Sequence, residues 1–235
     1  MNVINEYALR AFRKVYQKIF VTKQPHNFGV TDPDKASDMI YDLLVSGKPC
    51  MIARFGSTEM LAIMNYLGVC RQEHSIVKYL KGEYTGWWWN RNIMNQMQQC
   101  SGFFPPTPDN MMRFGKMMLE DAKEIDILGS WIPSEKYISE YVQQAVKVHL
   151  LLLEPFWSEK PWTNVLEGKK VLVVHPFSKT IERQYVEKRM KLFENTSVLP
   201  KFELITIQAV QSIGGEDNGF CDWFDALSLP KKGLL

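Results

Sequence analysis

The chain has 235 residues, with 28 Lys and Arg against 26 Asp and Glu, and this near balance disfavours a nucleic-acid-binding surface. No apolar run has the length of a transmembrane helix, and the N-terminus lacks the basic and apolar segments of a secretory signal. The four cysteines, at positions 50, 70, 100 and 221, form no Cys-x-x-Cys pair. Their spacing excludes a paired-cysteine zinc motif and predicts reduced thiols in a cytoplasmic protein.

Apolar periodicity alternates between helix and strand along the chain, which predicts an α/β fold. We expect a Rossmann-like, mostly parallel sheet flanked by helices. It forms a single domain over 1–235, with a helical extension at 1–30 and a frayed tail at 228–235. Predicted strands lie at 50–53, 125–129, 148–153, 169–177 and 202–210, and predicted helices lie at 4–19, 32–45, 57–67, 109–123, 137–142 and 178–193, with a further helix ending at 99.

The first predicted helix, over 4–19, is amphipathic, with basic residues opposite its apolar face. Such a helix packs on its own domain or on a second subunit, or it lies on a membrane surface. The sequence therefore leaves a homo-oligomer and peripheral membrane contact as open hypotheses.

A group of polar residues follows the first predicted strand, where an α/β sheet usually opens its binding crevice. Arg54, Ser57, Thr58 and Glu59 lie in a turn around Gly56. A buried strand has no reason to end in such side chains unless they reach solvent, a partner or a ligand. The alternative is structural: Ser57 caps the next helix and Glu59 favours its positively charged end.

Three consecutive tryptophans, at 87–89, precede the helix that ends at 99. Neighbouring residues lie about 100° apart on a helix, so the three indoles cannot share one face and at least one is partly exposed or lines a cleft. An indole beside amides and Arg91 suits a sugar ring or a nucleobase, and Trp88 is our candidate for this contact. The alternative is that these rings close the core or a dimer contact.

A second polar group follows the apolar strand at 169–177. His175, Ser178 and Lys179 lie where that strand ends and the next helix begins, with Ser178 as the predicted N-cap. Free backbone N–H groups and positive charge at such a corner favour an anion. The fifth predicted strand is followed by Gln211, Ser212, Gly214 and Gly215, which indicates a ligand crevice or only a mobile loop.

Three segments resemble the GT-D type glycosyltransferases, nucleotide-sugar-dependent enzymes with a Rossmann-like sheet. The segment Ile52-Ala53-Arg54-Phe55-Gly56-Ser57-Thr58-Glu59 resembles the Arg-Phe-Gly-Asp-Gly-Glu signature of that family. Two later segments, 173–181 and 222–227, are similar to it as well. The resemblance implies transfer of a sugar from a nucleotide-sugar donor, a UDP-sugar above all, to a glycan or glycoprotein acceptor, as in polysaccharide biosynthesis.

The resemblance also implies roles for single residues. Arg54 and Lys179 would hold the diphosphate, Glu59 would hold Mn²⁺ or Mg²⁺ or act as the base, and His175 would contact phosphate or acceptor. Gly56, Ser57, Thr58 and Ser178 would complete the binding site. We expect the early and late corners to converge on one cavity.

Two departures from the family pattern qualify these roles. Ser57 stands where the family has Asp, which removes one carboxylate from the implied metal site and weakens metal binding. The chain also ends before the usual final strand and Gly-rich turn, as in a divergent or shortened member. Both departures favour the alternative hypothesis, a noncatalytic protein that binds nucleotide sugars or glycans. A methyltransferase-like protein is less favoured, because no Gly-x-Gly follows the first strand.

Overall fold

The structure is a computed structural model that describes residues 3–21, 25–71, 74–209 and 220–228. The predicted α/β class is confirmed, because α-helices alternate with short parallel strands in the described part of the chain. The strands are β1 (Ile52–Ala53), β2 (Ile127–Ser130), β3 (Val146–His149), β4 (Lys170–His175) and β5 (Glu203–Gln208). The helices are α1 (Val3–Phe20), α2 (Pro33–Val45), α3 (Ser57–Cys70), α4 (Ile76–Lys81), α5 (Arg91–Ser101), α6 (Pro108–Asp121), α7 (Ser178–Lys188) and α8 (Trp223–Ala226).

The five described strands form two separate sheets, both parallel. One sheet has the order β1-β2-β3, and the other pairs β4 with β5. The chain divides into two compact units, each built from several segments: unit 1 contains 1–27, 55–124 and 132–144, and unit 2 contains 28–54, 125–131 and 145–235. The single-domain prediction stays a prediction.

Unit 1 is helical in its described part and contains α1 and α3 to α6. Helix α3 is its central element, since it packs against both α5 and α6. Its residues Met60, Ile63 and Leu67, spaced three to four apart, are all buried. Asn90 and Thr107 cap α5 and α6, because their side chains accept hydrogen bonds from backbone N–H groups of the first turns.

Unit 2 contains α2 and both sheets. All four residues of the central strand β2 are buried, as expected for a parallel strand with neighbours on both edges. The core of unit 2 combines Ile127 and Val148 of the three-stranded sheet with Ala36 and Ile40 of α2. A 3₁₀ helix over Leu150–Leu153 follows β3 and packs close to Gly129, where an added Cβ would lie 2.5 Å from the Leu153 side chain. A larger residue at this position would therefore displace the Leu153 side chain.

The second sheet of unit 2 pairs β4 and β5 in register from Lys170 opposite Glu203 to His175 opposite Gln208. Helix α7 packs against this pair. The Tyr185 hydroxyl on α7 donates to the carbonyl of Phe202 at 2.9 Å and accepts from its backbone N–H at 2.7 Å. This tyrosine fixes α7 to the start of β5.

The predicted N-cap Ser178 is wrong, and so is the alternative in which Ser57 caps α3. The N-cap is Gly56 for α3 and Phe177 for α7, so Ser57 and Ser178 lie inside their helices. The segment predicted as a helix over 137–142 is a 3₁₀ helix over Pro133–Tyr141 with its N-cap at Ile132. Helices α3 and α7 nevertheless begin at the predicted residues, Ser57 and Ser178.

Two predicted boundaries also differ. Residues 150–153, predicted as part of the third strand, form the 3₁₀ helix already described, and α7 ends at Lys188 before a short 3₁₀ segment over Arg189–Lys191. The predicted crevice residues at 211–215 and the tail from residue 229 lie outside the described residues. None of the described helices combines the length and hydropathy that crossing a bilayer requires.

Candidate functional site

The early turn begins where β1 ends and continues into the first turn of α3. Arg54 is the last residue of its segment in unit 2, and its side chain is exposed. Phe55 opens the following segment of unit 1 and is only 3% exposed. Within the turn, the buried Phe55 thus lies between the exposed Arg54 and the polar residues that begin at Ser57, and it anchors the turn.

Gly56 and Glu59 are in direct contact at the start of α3. Gly56 is the N-cap with extended backbone angles, and its carbonyl accepts the hydrogen bond of the Met60 N–H at 2.9 Å. A Cβ added to Gly56 would lie 1.9 Å from Oε2 of Glu59. The Glu59 carboxylate therefore lies against Gly56, in space that a Cβ at this position would share.

The first turn of α3 presents the remaining residues of the motif. Ser57 is exposed, whereas Thr58 and Glu59 are half-buried. The N–H groups of a helix's first turn have no partner within the helix and carry partial positive charge. Glu59 already lies at this end of the dipole, so its position also satisfies the structural interpretation made from the sequence.

The late corner lies in unit 2 at the end of β4. His175 is exposed, and its Nδ1 accepts a hydrogen bond from the backbone N–H of Phe177 at 3.0 Å. With Nδ1 occupied as an acceptor, the neutral ring carries its proton on Nε2. His175 can therefore offer a hydrogen-bond donor, as a phosphate oxygen requires.

Ser178 and Lys179 follow His175 in the first turn of α7, and they differ in exposure. Ser178 is 2% exposed, while the side chain of Lys179 is exposed. Lys179 is thus the accessible cation of this corner, and Ser178 belongs to the packed base of the helix.

The two corners are on strands of different sheets, since β1 belongs to the three-stranded sheet and β4 to the two-stranded sheet. Arg54, His175 and Lys179 belong to unit 2, and Gly56 to Glu59 belong to unit 1. Their predicted convergence on one cavity stays a prediction.

Trp88 lies in an aromatic cluster of unit 1. Its ring is 5.0 Å from Trp87 and 5.4 Å from Tyr79, measured between centroids. All three tryptophans at 87–89 are half-buried, so none is fully enclosed. Packing between aromatic side chains thus explains the positions of the Trp87 and Trp88 rings. The sugar contact of Trp88 stays a prediction.

Asn65 is a polar residue that sequence analysis did not single out. It is fully buried on α3, its Nδ2 donates to the carbonyl of Trp88 at 2.8 Å, and its Oδ1 accepts from the N–H of Asn90 at 2.9 Å. Asn65 thereby fixes the tryptophan segment to α3. The sequence feature that could have identified Asn65 is its polar side chain within the apolar pattern of α3.

A second missed feature of unit 1 is the pair of His26 and Glu135. Glu135 has no exposed surface, its Oε1 accepts from the N–H of Ile132 at 3.1 Å, and its Oε2 lies 3.6 Å from Nε2 of His26. Burial of a carboxylate requires such partners. The two residues are far apart in the chain, so no local pattern could pair them.

Each unit also contains a small cavity outside the predicted site. The one in unit 1, of about 90 Å³, is lined by residues that include Arg71, Lys78, Glu83 and Tyr137. The one in unit 2, of about 250 Å³, is lined by Asp38, Tyr41, Lys160, Pro161 and Asn164. Neither includes a residue of the early turn or the late corner.

The donor set of the early turn does not fit a divalent metal by itself. Glu59 provides one carboxylate, and Ser57 provides a hydroxyl, whereas Mn²⁺ and Mg²⁺ prefer several charged oxygen ligands. In the ranges that the structure describes, no three His, Cys, Asp or Glu side chains are grouped as metal ligands. We therefore assign no step of the chemistry to a metal.

Comparison with known proteins gives no relative for this chain. No family model, no curated protein and no solved structure matches it.

Proposed function

We propose that this chain is a glycosyltransferase of GT-D type, with its Rossmann-like part in the β1-β2-β3 sheet. It transfers a sugar from a nucleotide-diphosphate donor, a UDP-sugar above all, to a hydroxyl of a glycan or glycoprotein. The observation that carries the proposal is the contact between Gly56 and Glu59. The acid of the family-like motif lies directly against its glycine, since the carboxylate occupies the space that a Cβ would take.

The proposed reaction assigns a role to Glu59. The acceptor hydroxyl attacks the anomeric carbon, the bond from that carbon to the phosphate oxygen breaks, and the nucleoside diphosphate leaves with the bonding electrons. Glu59 takes the proton of the hydroxyl as general base. Glu59 is half-buried beside the exposed Ser57, which supports access of an acceptor to this turn.

The leaving diphosphate requires positive charge and hydrogen-bond donors. We assign this role to Arg54, to Lys179 and to the Nε2–H of His175, which are exposed groups in unit 2. An arginine is suited to phosphate because its planar guanidinium donates two parallel hydrogen bonds. Arg54 and Lys179 would take over the charge neutralisation that a metal performs in the family.

The test is transfer by the Glu59→Gln variant. We expect its kcat to fall by at least about 100-fold, because loss of a general base typically costs this factor or more. The measurement is release of UDP from UDP-glucose, UDP-galactose and UDP-N-acetylglucosamine in the presence of a mixed glycan acceptor. Gly56→Ala should also lower turnover, since its Cβ displaces the carboxylate.

The matched control is Glu124→Gln, which changes an exposed glutamate outside the turn of the same unit. Its turnover should equal that of the unaltered protein, and circular dichroism should give the same spectrum for all variants. Turnover of Glu59→Gln at the control level would remove Glu59 from the reaction.

The second candidate function is noncatalytic binding of a nucleotide sugar, and the replacement of the family Asp by Ser57 favours it. Calorimetry with UDP-glucose, with and without Mn²⁺, separates the two functions. Binding together with UDP release, with or without Mn²⁺, supports the enzyme. Metal-independent binding without UDP release supports the binding protein.

A further inference from the structure

Helix α1 has two different faces, and only one of them packs on unit 1. The packed face contributes Leu9 and Tyr16 to the cluster around Tyr79. On the same side, the guanidinium of Arg13 lies 4.7 Å from the centroid of the Tyr79 ring, and that of Arg10 donates to the Asn90 side chain. Two of the basic residues of α1 are thus used to hold the helix on the protein.

The other face carries an apolar stripe that is open to solvent. Phe12, Val15 and Ile19 follow one another at spacings of three and four, so they share one side of the helix. Their exposed fractions are 55%, 55% and 64%. An amphipathic helix on a globular protein normally turns its apolar stripe to the core. Here the stripe is turned outward.

The charged residues of α1 beside this stripe, Lys14 and Lys18, are basic. Lys14 and Lys18 are exposed, and neither forms an ion pair with any carboxylate that the structure describes. Residues 7–20 contain no Asp or Glu. Lysine side chains beside an apolar stripe can extend their charge towards anionic headgroups while their methylene groups stay in apolar surroundings.

We propose that the outward face of α1, formed by Phe12, Val15 and Ile19 with Lys14 and Lys18 beside them, binds the surface of an anionic lipid bilayer. The apolar side chains insert at the level of the headgroups, and the lysines contact acidic lipids. The inward contacts keep the helix folded before binding, so association requires no ordering step. This surface is independent of the proposed sugar transfer.

The size of the stripe favours a bilayer over a second copy of the chain. A stable protein interface takes roughly 20–30 residues from each side, far more than one helical stripe provides. A bilayer needs no matching shape, and a short apolar stripe with basic neighbours is sufficient for reversible binding.

The test is flotation of the full chain with vesicles of phosphatidylcholine, alone or with about 30% phosphatidylserine. We expect binding to the anionic vesicles only, and its reduction at about 0.5 M salt. The double variant Phe12→Ser/Ile19→Ser should bind at least about ten-fold more weakly. The double variant Lys14→Gln/Lys18→Gln should lose roughly five-fold in affinity for each lysine.

The matched controls are Val186→Ser, an apolar residue of α7 that is 75% exposed, and Lys116→Gln on α6. Both should bind like the unaltered chain. The proposal is overturned if the chain does not float with anionic vesicles, or if the α1 variants and the controls bind equally. It is also overturned if ultracentrifugation shows a dimer that Phe12→Ser/Ile19→Ser dissociates, because the stripe is then covered by a second copy.

Discussion

Asp34, at the start of α2, shows how one side chain can join distant segments of unit 2. Its Oδ1 accepts hydrogen bonds from the Ser158 hydroxyl at 2.7 Å and from the Glu159 N–H at 3.1 Å. The bond from Ser158, and then that from Glu159, lower the pKa of Asp34 below its ordinary value of 3.8. The carboxylate therefore contributes to stability only while it is ionised.

The Asp34→Asn variant should consequently be less stable than the unaltered protein at about pH 7, and by a difference that depends on pH. Since the folded pKa is lower than the unfolded one, the contribution is complete above the unfolded pKa and is lost as the pH falls through the folded pKa. Urea denaturation over this range measures the difference. Asp42→Asn, an exposed site on the same helix, is the control. A difference that stays constant down to acid pH would contradict the assignment.

Burial raises the pKa of Tyr66 in unit 1, whereas hydrogen bonds lower the pKa of Asp34. Removal of the Tyr66 hydroxyl from water, and then its hydrogen bond with Cys70, raise the pKa of Tyr66 to about 12. Burial favours the neutral phenol, because the phenolate loses more hydration. Tyr66 therefore stays protonated at neutral pH and packs against Gly115, where a Cβ would lie 2.2 Å from its ring.

At the scale of elements, the tryptophan segment depends on α3. Asn65 holds this segment through its bonds to Trp88 and Asn90, and Asn90 also caps α5. One buried side chain thus connects a helix, an aromatic segment and the start of another helix. Sequence periodicity predicts the helices but not the hydrogen bonds of Asn65 that connect them.

Replacement of Asn65 by Ala should lower the free energy of unfolding by about 3 kcal/mol, because it leaves a buried carbonyl and a buried N–H without partners. Chemical denaturation followed by tryptophan fluorescence measures this loss. The exposed Asn95→Ala on α5 should change stability by no more than about 0.5 kcal/mol. Equal stability of the two variants would show that the bonds of Asn65 contribute little.

At the scale of the whole molecule, the chain passes from one compact unit to the other at 27–28, 54–55, 124–125, 131–132 and 144–145. The early turn lies at one of these passages, between Arg54 and Phe55. The proposed sugar transfer and the proposed membrane surface use different residues, so failure of either proposal leaves the other in place.

The strands were predicted best where apolar residues are continuous. The strand predicted at 169–177 is observed at Lys170–His175, and that predicted at 202–210 at Glu203–Gln208. The starts of α3 and α7 were predicted correctly at Ser57 and Ser178, but their capping residues were not, because a cap requires a backbone path as well as a polar side chain. The contact between Gly56 and Glu59 lies within one turn, but adjacency in sequence gives no side-chain direction.

The sequence by itself determined the α/β class, the helices and strands other than α4, and the two polar corners, because these follow from local periodicity and residue type. Only the tertiary structure decided that the strands form two sheets, that Asn65 holds the tryptophan segment, and that α1 turns its apolar stripe outward. Such features depend on contacts between segments far apart in the chain, and the free energy of those contacts is not encoded in any local pattern.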